Sequence, residues 1–253
     1  MAESIDTIEY DFDFGPSFAT AAGAMNAFIT HPEDGGPHPV VLFYMDAPGK
    51  REELHDMARR IATAGYYVVL PNMYYRKTHE FRMVRDEEGF KRMFAMMDHL
   101  SIDLVMRDTQ AMLEFIDKQS AAKADSIGAV GYCMSGPYVF AAAGRFPGRV
   151  KCAASIYGVR LCTNAPDSPH LLANKVKGEL YFGCAQTDKY APKEMIDKLE
   201  AHLKGTPGLR SRVEWYMGVE HGFAFPLRAG IFDKPAAERH WERLFALFKR
   251  NLG

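Results

Sequence analysis

Cys133 lies in a glycine-flanked turn after a short apolar run, in the segment GAVGYCMSGPYVF at 129–141. Gly131 comes two residues before this cysteine, where a sharp strand-to-helix turn has room only for a small side chain. Ser135 comes two residues after it, at a position that usually holds glycine, and serine is small enough to fit there. The pattern predicts a turn that projects the Cys133 sulfur from the end of a strand, where it can attack a carbonyl carbon.

The helix predicted after this turn favours the thiolate form of Cys133. Pro137 lies near the first turn of SGPYVFAAAG, and the fixed φ of proline suits a helix start. The positive end of that helix would lie beneath the sulfur and stabilise the thiolate, which is the form that attacks. The alternative is a buried structural cysteine, which is the usual state of a free thiol. The other three cysteines are Cys152, Cys162 and Cys184, and we interpret most of them in this way.

An acid and a histidine follow Cys133 in the chain order that such a nucleophile requires. Asp188, in LYFGCAQTDKYAP, comes just after one predicted strand, and His221, in GVEHGFAFP, comes after the last one. Strand ends in an open parallel sheet converge on one crevice, so the three side chains can meet there. The alternatives are a turn or N-cap role for Asp188 and a loop position without a role for His221.

The elements that must position these residues alternate between strands and helices. Apolar, β-rich runs bounded by turns alternate with segments of helical period, which is typical of a mostly parallel sheet with helices on both faces. The strands are continuously apolar, as central parallel strands are. We predict strands at 40–44, 67–70, 126–132, 152–157, 179–182 and 213–216, with 24–30 as a candidate antiparallel edge strand. We predict helices at 54–62, which Gly65 ends, at 102–116 and at 237–252.

Composition and charge narrow the class of protein. The chain has 253 residues, of which 47% are hydrophobic and 25% charged, and its net charge is -1. These values are typical of a soluble globular protein, and no basic run indicates binding to nucleic acid or to an anionic membrane surface. We expect a small-molecule partner. Without repeats or a long linker, we expect one domain over 1–253, with 72–100 as a partly helical cover segment.

The N-terminal and cysteine patterns indicate the compartment. The segment MAESIDTIEYDFDF is acidic and lacks the basic and apolar regions of a secretory signal. No apolar stretch approaches the ~18 residues of a membrane helix, so we expect a cytoplasmic protein. The four cysteines are too few and too irregularly spaced for a disulfide framework or a zinc site. We therefore expect reduced thiols and no metal.

The motifs GYCMSG, AQTDKY and EHGFAFP, together with PVVLFYMDAPG and YYVVLPNMYYR, resemble the dienelactone hydrolase family of α/β-hydrolases over nearly the whole chain. The resemblance implies a cytosolic hydrolase that opens lactones or cleaves small esters without a metal or an organic cofactor. It implies that Cys133 is the nucleophile, His221 the general base and acid, and Asp188 the group that orients the imidazole. It also implies an oxyanion hole formed by the backbone N–H of Met134, the residue after the nucleophile, and by a backbone N–H at or near Ala47, in the loop after an early strand.

The resemblance assigns tuning and binding roles to three further residues. Asp46 stands where relatives have a glutamate that contacts the resting thiol; the alternative is a solvated loop aspartate or an Asx turn before Pro48. Arg76 stands where the family has an arginine that pairs with a substrate carboxylate. Tyr157 resembles a pocket tyrosine, and its alternative is a core or strand-end position.

Phe225 stands where the family has a second carboxylate-binding arginine. Arg228 or Arg160 could substitute for that arginine from nearby, although either is more often a solvated surface residue. Because an aromatic ring replaces a cation at this position, we predict substrates that are less charged or bulkier than compact anionic lactones.

Taken together, these patterns predict acyl transfer through a thioester on Cys133, in a monomer or a small homo-oligomer. A non-catalytic binding protein with the α/β-hydrolase fold is the alternative. A cysteine-based redox sensor is a third option, in which Cys184 approaches Cys133 in space.

Overall fold

The computed structural model describes residues 6–14 and 24–253. Within it the chain divides into two compact units, Met1–Ile127 and Gly128–Gly253. The single domain over 1–253 that the sequence suggests stays a prediction.

In the first unit the described strands are β1 (Thr7–Phe14), β2 (Met25–Pro32), β3 (His38–Tyr44) and β4 (Tyr67–Pro71). Their order in the sheet is β1-β2-β4-β3. β1 and β2 are antiparallel, as are β2 and β4, whereas β3 and β4 are parallel. The predicted antiparallel strand at 24–30 is confirmed as β2, but its predicted position at the edge of the sheet is wrong. β2 lies between β4 and β1, a strand that we did not predict.

The helices of the first unit are α1 (Glu52–Ala62), α2 (Glu87–Asp98) and α3 (Ile102–Ile116). α1 packs on β2 and β4, and its first turn is acidic while its last turn is basic, which complements the helix dipole. The Ser101 hydroxyl caps α3 by accepting a hydrogen bond from the Leu104 N–H at 3.2 Å. The predicted helices at 54–62 and 102–116 are confirmed, and the segment 72–100 is partly helical because it contains α2.

The strands that supply the second unit are β5 (Ala122–Tyr132), which begins in the first unit, β6 (Val150–Ile156), β7 (Glu179–Thr187) and β8 (Arg210–Glu220). Their order is β5-β6-β7-β8, and β6, β7 and β8 are parallel. All four predicted strands are confirmed. Three have longer bounds, and the one predicted at 152–157 is β6, which begins two residues earlier and ends at Ile156. The prediction of a central position is wrong for β8, which is last in this order and exposes Met217 to 67%.

The helices of the second unit are α4 (Gly136–Arg145), α5 (Lys193–Lys204) and α6 (Lys234–Leu252). α4 and α6 both pack on β6, and α5 contacts β8. The Asp233 side chain caps α6 by accepting from the Ala236 N–H at 2.8 Å. The helix at 237–252 is confirmed as α6, and α5 was not predicted.

Candidate active site

The turn around Cys133 joins β5 directly to α4. β5 ends one residue before Cys133, Cys133–Ser135 forms a 3-10 turn, and α4 follows at once. Cys133 has a φ of 54°, a left-handed conformation that is strained for a residue with a side chain. A Cβ on Gly131 would lie 2.8 Å from the Ser135 carbonyl oxygen and 2.9 Å from Val139 Cγ1, so only glycine fits there. The structure contains the sharp turn that the sequence predicts.

The loop after β6 holds this turn from one side. The Val159 N–H donates a hydrogen bond to the Cys133 carbonyl at 3.1 Å. Gly136 and Gly158 approach so closely that a Cβ on Gly136 would lie 2.4 Å from the Gly158 Cα. These contacts fix the backbone at Cys133, and the residue itself is half-buried.

Asp188 and His221 form a hydrogen-bonded pair. The His221 Nδ1–H donates to Asp188 Oδ2 at 2.7 Å. Asp188 Oδ1 accepts two further hydrogen bonds, from the Tyr190 and Ala191 N–H groups, both at 2.9 Å. The side chains of Asp188 and His221 are only 2% and 9% exposed. A buried carboxylate held in this way fixes both the orientation and the tautomer of the imidazole.

Two neighbouring parallel strands bring this pair together. β7 ends at Thr187, immediately before Asp188, and β8 ends at Glu220, immediately before His221. Thr187 and Glu220 face each other in the register of the two strands, and the His221 N–H donates to the Thr187 carbonyl at 3.2 Å. The carboxyl ends of β7 and β8 therefore converge and bring Asp188 and His221 together, while the predicted meeting of both with Cys133 stays a prediction.

His221 carries an elevated proton affinity. Burial by itself lowers its pKa, but the hydrogen bond to Asp188 and the interaction with Cys133 outweigh burial and raise the pKa of His221 to about 9. Its Nε2 is buried and makes no hydrogen bond of ordinary geometry with the described residues. Because Asp188 engages Nδ1, Nε2 is the nitrogen left to exchange a proton.

Two tyrosine rings enclose the imidazole of His221. The Tyr157 ring lies 4.9 Å from it, centroid to centroid, and the Tyr190 ring lies 5.0 Å from it in a T-shaped arrangement. Tyr157 is buried and has a φ of 38°, whereas Tyr190 is 44% exposed. Tyr157 is therefore the buried wall around His221 and Tyr190 is the solvent-facing wall. The burial of His221 beside Tyr157 strengthens its hydrogen bond to Asp188.

Phe225 lies in the core of the second unit. It is fully buried, and its ring lies 5.3 Å from that of Tyr132 and 6.2 Å from that of Tyr157. The Arg228 guanidinium lies over the Phe225 ring at 4.8 Å. It also lies beside Gly222, where a Cβ would come within 2.2 Å of Nη1. Arg228 is thus held next to His221 by a cation–π contact.

Asp46 and Ala47 lie in the loop after β3 of the first unit. Asp46 is buried and pairs with Arg51 through both carboxylate oxygens, so the alternative of a solvated loop aspartate is wrong. The buried Ala47 carbonyl accepts a hydrogen bond from the Tyr74 hydroxyl at 2.9 Å. Their predicted roles at the thiol and in the oxyanion hole stay predictions, as does that of Met134, which is buried in the 3-10 turn.

Arg76 forms an ion pair with Asp108, a residue that we did not predict from the sequence. Its Nη1 and Nη2 donate to the two carboxylate oxygens of Asp108 at 2.8 and 2.5 Å. The Tyr75 hydroxyl donates to the same carboxylate at 3.0 Å, and the guanidinium lies 4.4 Å from the Tyr75 ring centre. Asp108 is three residues after Val105 on the buried face of α3, so an acid on an apolar helical stripe was its signal.

Two features are absent from the part of the chain that the structure describes. No helix there is both long and apolar enough to cross a membrane. No group of three or more His, Cys, Asp or Glu side chains in these residues is placed to hold a metal ion.

Comparison with known proteins gives a consistent family match. Residues 25–252 match the profile of the dienelactone hydrolase family. A candidate carboxymethylenebutenolidase from Synechocystis is 26% identical over 228 residues, which cover 89% of this chain and 91% of that protein. Another from Azospirillum brasilense is 27% identical over 234 residues, which cover 91% of this chain and 95% of that protein.

Solved structures of similar fold include two that are described as dienelactone hydrolases. A candidate dienelactone hydrolase from Klebsiella pneumoniae superposes with a TM-score of 0.83 at 20% identity, covering 97% of this chain and 99% of the other. A dienelactone hydrolase from Anabaena variabilis superposes with a TM-score of 0.69 at 17% identity, covering 98% and 99%. At these identities the likeness establishes the fold, and the predicted α/β-hydrolase fold is confirmed.

Proposed function

The chain belongs to the dienelactone hydrolase family of carboxylic ester hydrolases, and we propose that it cleaves a lactone or a small ester through Cys133, His221 and Asp188. The observation that carries this proposal is the 2.7 Å hydrogen bond from His221 Nδ1 to the buried Asp188 carboxylate. That bond leaves Nε2 for proton transfer beside the Cys133 sulfur. The raised pKa of His221, to about 9, supports a protonated imidazole that can donate a proton to a leaving group.

In the first half-reaction the Cys133 thiolate adds to the carbonyl carbon of the substrate, and the carbonyl oxygen becomes an oxyanion. The Met134 N–H, next to the nucleophile in the 3-10 turn, is the first predicted donor to this oxyanion. The second predicted donor is the N–H of Ala47. Loss of one such donor costs about 2.7–4 kcal/mol of the barrier. Protonated His221 then donates its proton to the leaving alkoxide as the C–O bond breaks, which leaves a thioester.

In the second half-reaction neutral His221 takes a proton from water, and the resulting hydroxide attacks the thioester carbonyl. The C–S bond breaks, the carboxylic acid leaves, and the thiolate and the imidazolium are restored. With a lactone, the alcohol released in the first half-reaction stays attached to the acyl chain. An amide is a poor substrate because thiolate is a better leaving group than amine, so its tetrahedral adduct returns to reactants.

The aromatic residues near His221 support a weakly charged substrate. Phe225 stands where the family has an arginine and is buried in the core, and its neighbour Arg228 is already stacked on the Phe225 ring. The exposed Tyr190 ring beside His221 offers an aromatic contact surface. We therefore expect neutral esters and lactones to react faster than compact dianionic ones.

Incubation with 4-nitrophenyl acetate and mass spectrometry of the intact protein tests this function. We expect a transient acetyl group on Cys133 and release of nitrophenol, with no adduct and no turnover in Cys133→Ala. In His221→Ala we expect slow acylation and an adduct that persists, because no base activates water. Cys162→Ala is the matched control, since Cys162 is also half-buried but is not one of the three proposed catalytic residues. Turnover by Cys133→Ala refutes the proposed nucleophile, and a folded wild type without adduct or turnover supports the binding-protein alternative.

A further inference from the structure

Tyr132 and His240 form a buried polar pair next to the nucleophile turn. Tyr132 directly precedes Cys133, and His240 lies on the C-terminal helix α6. The Tyr132 hydroxyl and His240 Nε2 are 2.9 Å apart, and both residues have no exposed surface. His240 Nδ1 donates to the Ala237 carbonyl, which only accepts. Nδ1 therefore carries the proton, and Nε2 accepts from the Tyr132 hydroxyl.

This pair belongs to a buried aromatic cluster that also includes Tyr157, Phe223 and Phe225. The Tyr132 ring lies 5.3 Å from Phe225, and the His240 ring lies 6.3 Å from Phe223. Phe223 and Phe225 follow His221 in the chain, and Tyr157 contacts the rings of both Tyr132 and His221. The segments that carry the nucleophile and the base are thus anchored on the same cluster.

A hydrogen bond inside this cluster has a directional effect that apolar packing lacks. Burial of a hydroxyl and an imidazole costs free energy that two apolar side chains of equal volume would not cost. The hydrogen bond recovers part of this cost only at one distance and angle, so it holds the Tyr132 ring in one position. The next residue, Cys133, has a strained φ of 54°, which persists only where the surroundings fix it.

We infer that His240 is a positioning residue, whose hydrogen bond to Tyr132 fixes the end of β5 and thereby the separation between the Cys133 sulfur and His221 Nε2. This inference rests on the proposed function and extends it to α6. His240 acts through Tyr132 rather than on the substrate. Its loss should therefore lower kcat, which depends on proton transfer between Nε2 and the reacting atoms, and leave KM nearly unchanged.

Tyr132→Phe removes the hydroxyl and keeps the ring. With 4-nitrophenyl acetate we expect kcat to fall about tenfold and KM to change by less than about twofold. The rate of Cys133 alkylation by iodoacetamide should reach its half-maximum at a higher pH, because a displaced His221 stabilises the thiolate less. His240→Gln, which keeps an acceptor for the hydroxyl, should retain more activity than His240→Leu.

Tyr181→Phe is the matched control. It removes another buried hydroxyl of the second unit, which lies 2.7 Å from the Tyr216 hydroxyl and outside the pair next to Cys133. We expect it to lower thermal stability without changing kcat or the alkylation profile. The inference is overturned if Tyr132→Phe behaves in the same way as this control. If the wild type alkylates at Cys133 but turns over no ester, the proposed function fails, and the alkylation profiles still decide the role of His240.

Discussion

Asp188 receives a hydrogen bond from His221 at 2.7 Å on Oδ2, while its own loop donates two backbone hydrogen bonds to Oδ1. The carboxylate is therefore positioned by the Tyr190 and Ala191 amides independently of the histidine. His221 is held against a preformed acceptor and does not have to order it. Such an arrangement keeps the imidazole in one orientation at low entropic cost.

Asp188→Asn removes the negative charge of the side chain and nearly keeps its shape, so it tests whether the charge is needed. The amide has one acceptor oxygen, so it cannot serve both the loop N–H groups and His221 Nδ1–H. We expect kcat/KM for 4-nitrophenyl acetate to fall about 10³-fold or more, because the wrong tautomer is favoured. The pKa of His221 should also fall from its raised value of about 9, which an NMR titration of the imidazole measures. Retention of activity within about tenfold of wild type would contradict the role of Asp188.

Gly131→Ala should distort the nucleophile turn. The new Cβ would lie 2.8 Å from the Ser135 carbonyl oxygen, so backbone has to move. We expect a loss of about 1–3 kcal/mol in the free energy of unfolding and about 100-fold in kcat/KM. Gly148→Ala is the control, because nothing lies within 4 Å of a Cβ at that position. Urea titration and esterase assays on both variants should separate them, and equal effects would refute the steric explanation.

The stability of the folded protein should depend on pH through His221. Its folded pKa of about 9 lies above the ordinary value of 6.5, so its contribution is fully present below pH 6.5. That contribution decreases as pH rises and is lost above about 9; its size is on the order of 3 kcal/mol. Urea titrations at pH 6 and pH 9.5, each compared with His221→Gln, should show a difference between wild type and variant that shrinks at the higher pH. A difference that stays constant would argue against the raised pKa.

The parts of the site that the sequence predicted are those with local signals. Gly131 and Pro137 flank Cys133 within a few residues, so strand, turn and helix follow from adjacent positions. Asp188 and His221 each come directly after a strand, and parallel strands end at one edge of a sheet.

The strand, the helix and the side-chain contacts that we did not predict leave only weak patterns in the sequence, or depend on residues far apart in it. β1 alternates exposed acids with Ile8, Tyr10 and Phe12, but it is an edge strand whose pairing with β2 is needed to recognise it. α5 buries only Ile196, Leu199 and Leu203 in an otherwise charged segment, which is a narrow apolar stripe. The partners of Arg76 and Tyr132 lie far along the chain, so no local pattern pairs Arg76 with Asp108 or Tyr132 with His240.

The bidentate pair between Arg76 and Asp108 gives the last prediction. The sequence resemblance assigns Arg76 to a substrate carboxylate, yet both of its terminal nitrogens already bind Asp108, which is 4% exposed. Arg76→Met would leave that carboxylate buried without its cation. We expect a loss of about 3 kcal/mol in the free energy of unfolding, and a smaller loss in the double variant Arg76→Met/Asp108→Leu, which removes both charges.

Substrate selectivity distinguishes the two roles of Arg76. If it serves mainly to pair with Asp108, the ratio of kcat/KM for a carboxylate-bearing ester to that for its neutral analogue should change by less than about threefold in Arg76→Met. An arginine that anchors a substrate carboxylate would instead lose more than about tenfold for the anionic ester alone, since a charge-assisted bidentate contact contributes to both binding and orientation. Parallel assays of the two esters, at a temperature where the variant is fully folded, measure this ratio directly.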